Sequence, residues 1–206
     1  MDIYGDPDNS CNALAQLATA RYAPESIVPG APRPFRPGAE SLCVLSSLAE
    51  LRAAVQEIAG SAQRLLSIYT QYLEPELYEQ TAFLDLVKKF VLTRSFSKVR
   101  VLLADPSRAL RDSNRFVAMG KRLSSCIDIR YVAAAVRQPQ RASAYVIADD
   151  RAIVYRLRSD SWDAVADINN PPVARLYLQE FEVVWTASAV DHGLRRPPRR
   201  AKAAAT

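Results

Sequence analysis

Histidine is almost missing from this chain: His192 is the single one among 206 residues. Imidazole is the side chain best suited to general acid–base work and metal ligation near neutral pH. One chain therefore cannot supply two histidines to a site. His192 follows a helical stretch and precedes a basic run, so it reads as a favourable charge at a helix C-terminus rather than a catalytic group. Cysteine is also scarce. Cys11, Cys43 and Cys126 are odd in number and widely separated. That excludes a disulfide framework and a C-x-x-C metal or redox site, and it fits a reducing, cytoplasmic setting. Cys126, in an apolar context, reads as a small buried hydrophobe. No apolar run approaches the roughly 20 residues of a spanning helix, so no membrane insertion is expected. The opening Met1-Asp2-Ile3-Tyr4-Gly5-Asp6 has neither the basic nor the apolar stretch of a secretory signal. No cofactor motif is present in the sequence, and none is expected to be bound.

What is there belongs to a globular protein. Hydrophobic residues make up 49% and charged residues 24%, enough for a core that needs no staples. The net charge of +5 is uneven. Residues 191–206 carry Arg195, Arg196, Arg199, Arg200 and Lys202 against Asp191, whereas residues 1–40 hold three arginines against five acids. Residues 1–41 are also proline-rich, with Ala31-Pro32-Arg33-Pro34-Phe35-Arg36-Pro37-Gly38 unable to sit inside a helix or a central strand. The expected organisation is a mobile N-terminal segment over 1–41, one α/β domain over 42–190, and a basic flexible tail over 191–206.

Within the domain, helical and strand patterns alternate. Leu48, Leu51, Val55, Ile58 and Ala62 fall at helical spacing, with Ser47 and Glu50 placed for a capping box. Leu65–Thr70 reads as a strand. Glu74-Pro75-Glu76 marks a helix start, and Phe83, Leu84, Val87, Phe90 and Val91 form the stripe that follows. Val99–Ala104 and Ile127–Val132 are strands, separated by a helical pattern running from Ala109 to Leu123. This order implies crossover connections and a parallel sheet. Two strand-like runs, Ser143–Ala148 and Ala152–Arg158, then flank the tight turn Asp149-Asp150-Arg151 and read as a hairpin. After a loop over 159–172, Val173, Tyr177, Phe181, Val184, Trp185 and Ser188 mark a final helix. The expected fold is a three-layer α/β/α sandwich with a mixed, largely parallel sheet and a C-terminal β-hairpin plus helix.

The hairpin segment Ala144–Val154 resembles the strand pair that carries the phospholipase D family's His-x-Lys, four residues, Asp motif. Ala174–Ser188 resembles that family's terminal helix, and Tyr69–Tyr78 an early strand-to-helix turn. Residues 46–196 as a whole resemble a bacterial group of degenerate phospholipase-D-like domains, some of them fused to acetyltransferase domains. With Asp149 on the family's aspartate, the histidine position is Ala142 and the lysine position is Ala144. In the family the histidine attacks phosphorus and the lysine stabilises phosphoryl charge; a methyl group can do neither. A register slid by one puts Ser143 and Tyr145 there, with no evident base for the serine. A second copy of the motif is not found. The resemblance thus implies a non-catalytic interaction or regulatory domain whose partner is a protein such as an acetyltransferase, and, because such halves pair across their active faces, a homodimer.

Other readings stay open beside it. Asp149 and Asp150 are either relics of a phosphate site or the acids of a tight turn. Arg141, Arg156 and Arg158, with Arg156 and Arg158 on the face of Ala152 and Val154, are either solvated charges or phosphate ligands in a vestigial phosphodiester cleft. Trp162 is a contact residue or a packing group. Arg195, Arg196, Arg199 and Arg200 give a solubilising tail or weak, salt-sensitive nucleic-acid binding. The alternative to a protein-interaction role is therefore a phosphate-ligand or nucleic-acid-binding module.

Overall fold

The computed structural model describes residues 42–106, 114–132 and 143–190. The expected N-terminal segment 1–41, the tail 191–206, and Arg141, Ala142 and His192 lie outside them. The described elements, in chain order, are β1 (Leu42–Leu45), α1 (Leu48–Ser61), β2 (Leu65–Thr70), α2 (Pro75–Tyr78), α3 (Thr81–Thr93), β3 (Lys98–Leu103), α4 (Arg115–Arg122), β4 (Ile127–Tyr131), β5 (Ala144–Ala148), β6 (Ala152–Arg156), β7 (Ala164–Asp167), α5 (Pro171–Ala187) and β8 (Ala189–Val190).

One eight-stranded sheet, ordered β1-β7-β6-β5-β2-β3-β4-β8, divides two cores. On one face, α1, α3 and α4 bury Leu51, Ile58, Phe83, Val87 and Phe116 against Leu66, Ile68, Val101 and Val146. On the other, α5 buries Tyr177, Phe181 and Trp185 against Leu102, Tyr145, Ile153 and Tyr155. Adjacent residues of β5 serve opposite cores, Tyr145 one and Val146 the other, as the period-2 pleat requires. That is the expected α/β/α sandwich with a mixed sheet.

The balance of the sheet differs from expectation. Only β2–β3 and β3–β4 pair in parallel; β1–β7, β7–β6, β6–β5, β5–β2 and β4–β8 are antiparallel. The sequence pattern exposed the three crossover strands but not β1, β7 and β8. These are two to four residues long, too short for a period of two to register. β7 sits inside the stretch expected to be a loop.

Local signals set several boundaries. Ser47 Oγ accepts from Glu50 N at 3.2 Å and Glu50 Oε2 accepts from Ser47 N at 3.2 Å, closing the expected capping box on α1. The helix expected from Pro75 is two: α2 ends at Tyr78, and α3 restarts after an extended Gln80. Asn114 caps α4 through Phe116 N and Val117 N. Asn170 caps α5, and Pro171 and Pro172 open its first turn, where a missing N–H costs nothing.

A candidate cleft closed by a buried ion pair

The C-terminal ends of β2 and β6 and the start of β5 meet at one place. Tyr69 pairs with Tyr145, and Ala144 pairs directly with Arg156. Ala144, the residue expected at the motif's lysine position, is thus the cross-strand partner of an arginine. The Ala144 methyl leaves room for that long side chain.

Arg156 is 3% exposed, and its guanidinium is engaged on several sides. Nη1 donates to Glu74 Oε1 at 2.9 Å, Nε to the Ser161 carbonyl at 3.1 Å, and Nη2 to the carbonyls of Ser159 and Ser161. The Trp162 ring covers it, with Cζ 5.0 Å from the centroid. The second Glu74 oxygen accepts from Thr70 Oγ1 at 2.7 Å. Tyr78 is buried behind the pair. Burial, reinforced by the Glu74 charge, pushes its phenol above the usual range. A charge taken out of water is tolerated only when paired and hydrogen-bonded, and here both conditions hold. Glu74 is delivered by a tight loop in which buried Leu73 adopts φ 56°, and Asn114 Nδ2 donates to the Leu73 carbonyl at 3.2 Å.

The Arg156 guanidinium, weighed from the sequence as a solvated charge or a phosphate ligand, is buried and faces Glu74 and main-chain carbonyls. Arg158 lies beyond the end of β6. It is exposed and bound to Asp160 through Nε at 2.9 Å and Nη2 at 2.6 Å. That hydrogen bond holds the Asp160 carboxyl below its usual range. Arg156 and Arg158 are not brought together on one open surface. Trp162 is half-buried over Arg156, a packing role.

Asp149 closes the opposite end of β5. Its carboxylate accepts from the main-chain N–H groups of Gln63, Arg64 and Leu65 at 2.9, 2.8 and 2.9 Å, while its own backbone turns at φ 55°. Aspartate tolerates that left-handed conformation, and its short side chain can reach the strand start. Asp149 thus ties the hairpin turn to β2. Asp150 pairs with Arg175 on the surface at 2.8 Å. Among the described residues, no group of three metal-ligating side chains comes together, and no helix is long and apolar enough to cross a membrane.

The sequence reading missed Glu74 as a site residue, treating it only as a helix start. The Glu-Pro-Glu pattern carries no sign that one acid turns inward. It also missed a groove of about 320 Å³ at the other end of the parallel strands, lined by Lys98, Arg100, Cys126, Asp128, Arg130 and Trp185 among others. Cys126 borders this groove half-buried rather than sitting in the core.

Solved structures share this architecture. The chain is similar to Nuc of Salmonella typhimurium, a phospholipase D family member, at 16% identity and TM-score 0.50, covering 72% of this chain and 97% of that one. NucT of Helicobacter pylori matches at 10% identity and TM-score 0.50, covering 73% of this chain and 98% of that one. TrmBL2, an archaeal chromatin protein whose structure shows a novel mode of DNA binding, matches at 12% identity and TM-score 0.54. That match covers 89% of this chain, which spans 62% of the archaeal chain. No curated protein matches the sequence. These likenesses establish a phospholipase-D-like fold. The family model described as a domain of unknown function, DUF7931, matches residues 47–196, and the chain belongs to that family.

Proposed function

We propose that this domain acts by binding rather than by cleaving phosphodiesters: a phospholipase-D-like interaction or regulatory domain. The observation that supports it is the Glu74–Arg156 pair. Phosphoryl transfer in the family needs a nucleophile and a free cation aimed at the phosphoryl oxygens. Alanines stand at both positions in the sequence, Ala142 and Ala144. The cation that faces Ala144 is neutralised by a carboxylate and held by two carbonyls. The partner that the resemblance suggests is a protein such as an acetyltransferase domain, and a homodimer belongs to the same proposal. The test is hydrolysis of bis(p-nitrophenyl) phosphate and of single-stranded DNA by the purified full chain. No turnover above buffer is expected. Turnover that disappears in Ser143→Ala or His192→Ala overturns the reading, because those residues are the remaining nucleophile and imidazole.

A nucleic-acid role is favoured by one observation, the same fold in an archaeal chromatin protein described as binding DNA. The cleft itself argues against hosting it. Arg156 is committed to Glu74 and Arg158 to Asp160. The vestigial-cleft version is refuted if changing Arg141, Arg156 and Arg158 together to Ala leaves the binding of phosphate or an oligonucleotide unchanged.

A further inference from the structure

The opposite end of the parallel strands carries the charge that the cleft lacks. β2, β3 and β4 start side by side, with Leu65 paired to Lys98 and Val99 to Ile127. Three strand starts at the usual spacing span about 10 Å. The β2 start contributes Arg64. The loop between α3 and β3, Arg94-Ser95-Phe96-Ser97-Lys98, contributes Arg94, Phe96 and Lys98. All four are exposed, and Phe96 is 56% open to solvent. The ring therefore presents more than half of its surface to solvent. Its neighbour is a cation: Arg64 Cζ lies 6.0 Å from the ring centroid.

Among the described residues, carbonyls rather than carboxylates hold these cations: Arg94 Nη1 donates to the Gln63 carbonyl at 3.1 Å and Lys98 Nζ to the Ser125 carbonyl at 2.6 Å. The acid beside them, Asp149, spends its carboxylate on three main-chain N–H groups. The loop stands as a ridge between two open grooves. One, of about 340 Å³, has a mostly apolar lining that includes Leu86 and Phe90, with Lys89 and Arg94 as its cations. The other, of about 320 Å³, is lined by Lys98, Arg100 and Arg130, with Ser124 and Ser125 on its rim. Arg100 and Arg130 are pre-set in that groove by the Trp185 ring, at 5.4 and 4.1 Å from its centroid, and carry Glu182 and Asp128 as partners.

A track of cations with a solvent-facing aromatic ring between two grooves is the arrangement that holds a phosphodiester backbone and stacks a base. We propose that this edge, centred on Arg64, Arg94, Phe96 and Lys98, binds single-stranded nucleic acid without sequence preference. The site is remote from the Glu74–Arg156 cleft and stands whether or not that cleft is catalytically silent.

The test is fluorescence anisotropy of a labelled oligothymidylate of about 20 nucleotides with the full chain, from about 50 to about 200 mM salt. The unaltered chain is expected to bind. The triple variant Arg64→Ala, Arg94→Ala, Lys98→Ala should weaken binding at least about tenfold and flatten the log–log salt slope by about 2, the share of three phosphate contacts on a single strand. Phe96→Ala should weaken binding about fivefold or more with the slope unchanged, because stacking releases no counterions. Lys98→Glu, a single exposed change, serves if the triple variant does not fold. A full-length variant with Arg195, Arg196, Arg199 and Arg200 changed to Ala should keep its dependence on Phe96. The proposal is overturned if the unaltered chain fails to bind at about 100 mM salt, or if the edge variants bind as it does. It is also overturned if the tail variant alone abolishes binding. Phe96-dependent capture by phosphatidylcholine vesicles holding about 30% phosphatidylserine, without oligonucleotide binding, would make the edge a membrane surface instead.

Discussion

Glu74 and Arg156 are 82 positions apart in the chain, and their Oε1 and Nη1 atoms lie 2.9 Å apart in the cleft where three strand ends converge. Removing either partner strands the other's charge away from water. Glu74→Leu or Arg156→Met is expected to cost about 3–5 kcal/mol. The double variant Glu74→Leu/Arg156→Met should cost less than the sum, because no charge is left behind. Urea denaturation of the four proteins measures this as a double-mutant cycle. A coupling below about 0.5 kcal/mol would mean that the pair does not hold the cleft closed.

The Asp149 carboxylate fastens the hairpin turn to the start of β2 through three N–H groups. Asp149→Ala strips their acceptor and also places alanine at φ 55°. A loss of about 2–4 kcal/mol is expected. Asparagine tolerates the same backbone and keeps one acceptor oxygen, so Asp149→Asn should lose clearly less. Equal losses in a denaturant titration would count against the carboxylate as the fastening group.

Glu50 makes helix α1 sensitive to acid. The Ser46 N–H, with the Ser47 hydroxyl and N–H, holds the Glu50 carboxyl below its ordinary value against a smaller opposing effect of burial. In the unfolded chain the group titrates near about 4.3. Its ionised form therefore stabilises the fold above that pH, and the contribution fades as pH falls through the lower folded value. Stability of the native chain measured from about pH 6 to about pH 3 should fall more than that of Glu50→Gln. Ser47→Ala should cost about 1 kcal/mol at neutral pH.

Phe181 is fully buried on the inner face of α5 and stacks on Trp185, with centroids 5.5 Å apart. Phe181→Ala should cost about 3–5 kcal/mol. It should also free the Trp185 ring, raising the mobility of Arg130 and Arg100 that lie over it. Tryptophan fluorescence checks the second effect, and an unshifted emission spectrum would contradict it.

The strands and helices that hold the cores were legible because burial on one or two faces leaves a period in the sequence. Leu51, Val55 and Ile58 show it for α1, and Tyr177, Phe181 and Trp185 for α5. The capping box at Ser47 and the turn at Asp149 were legible as well, since each depends on residues within a few positions. The hairpin, with the terminal helix and the turn over Tyr69–Tyr78, was enough to suggest the phospholipase-D-like fold. Strands β1, β7 and β8 were not legible: a pairing of two to four residues is decided by the strand beside it, not by its own pattern. Nor does any local signal say that Glu74 turns inward to meet Arg156, or that Arg64, Phe96 and Lys98 share an edge. Local sequence determined the long helices, the longer strands and the hairpin turn through short-range propensity and periodicity. Charge pairing across 82 positions and the gathering of cations at three strand starts are long-range events, and only the packed sheet decides them.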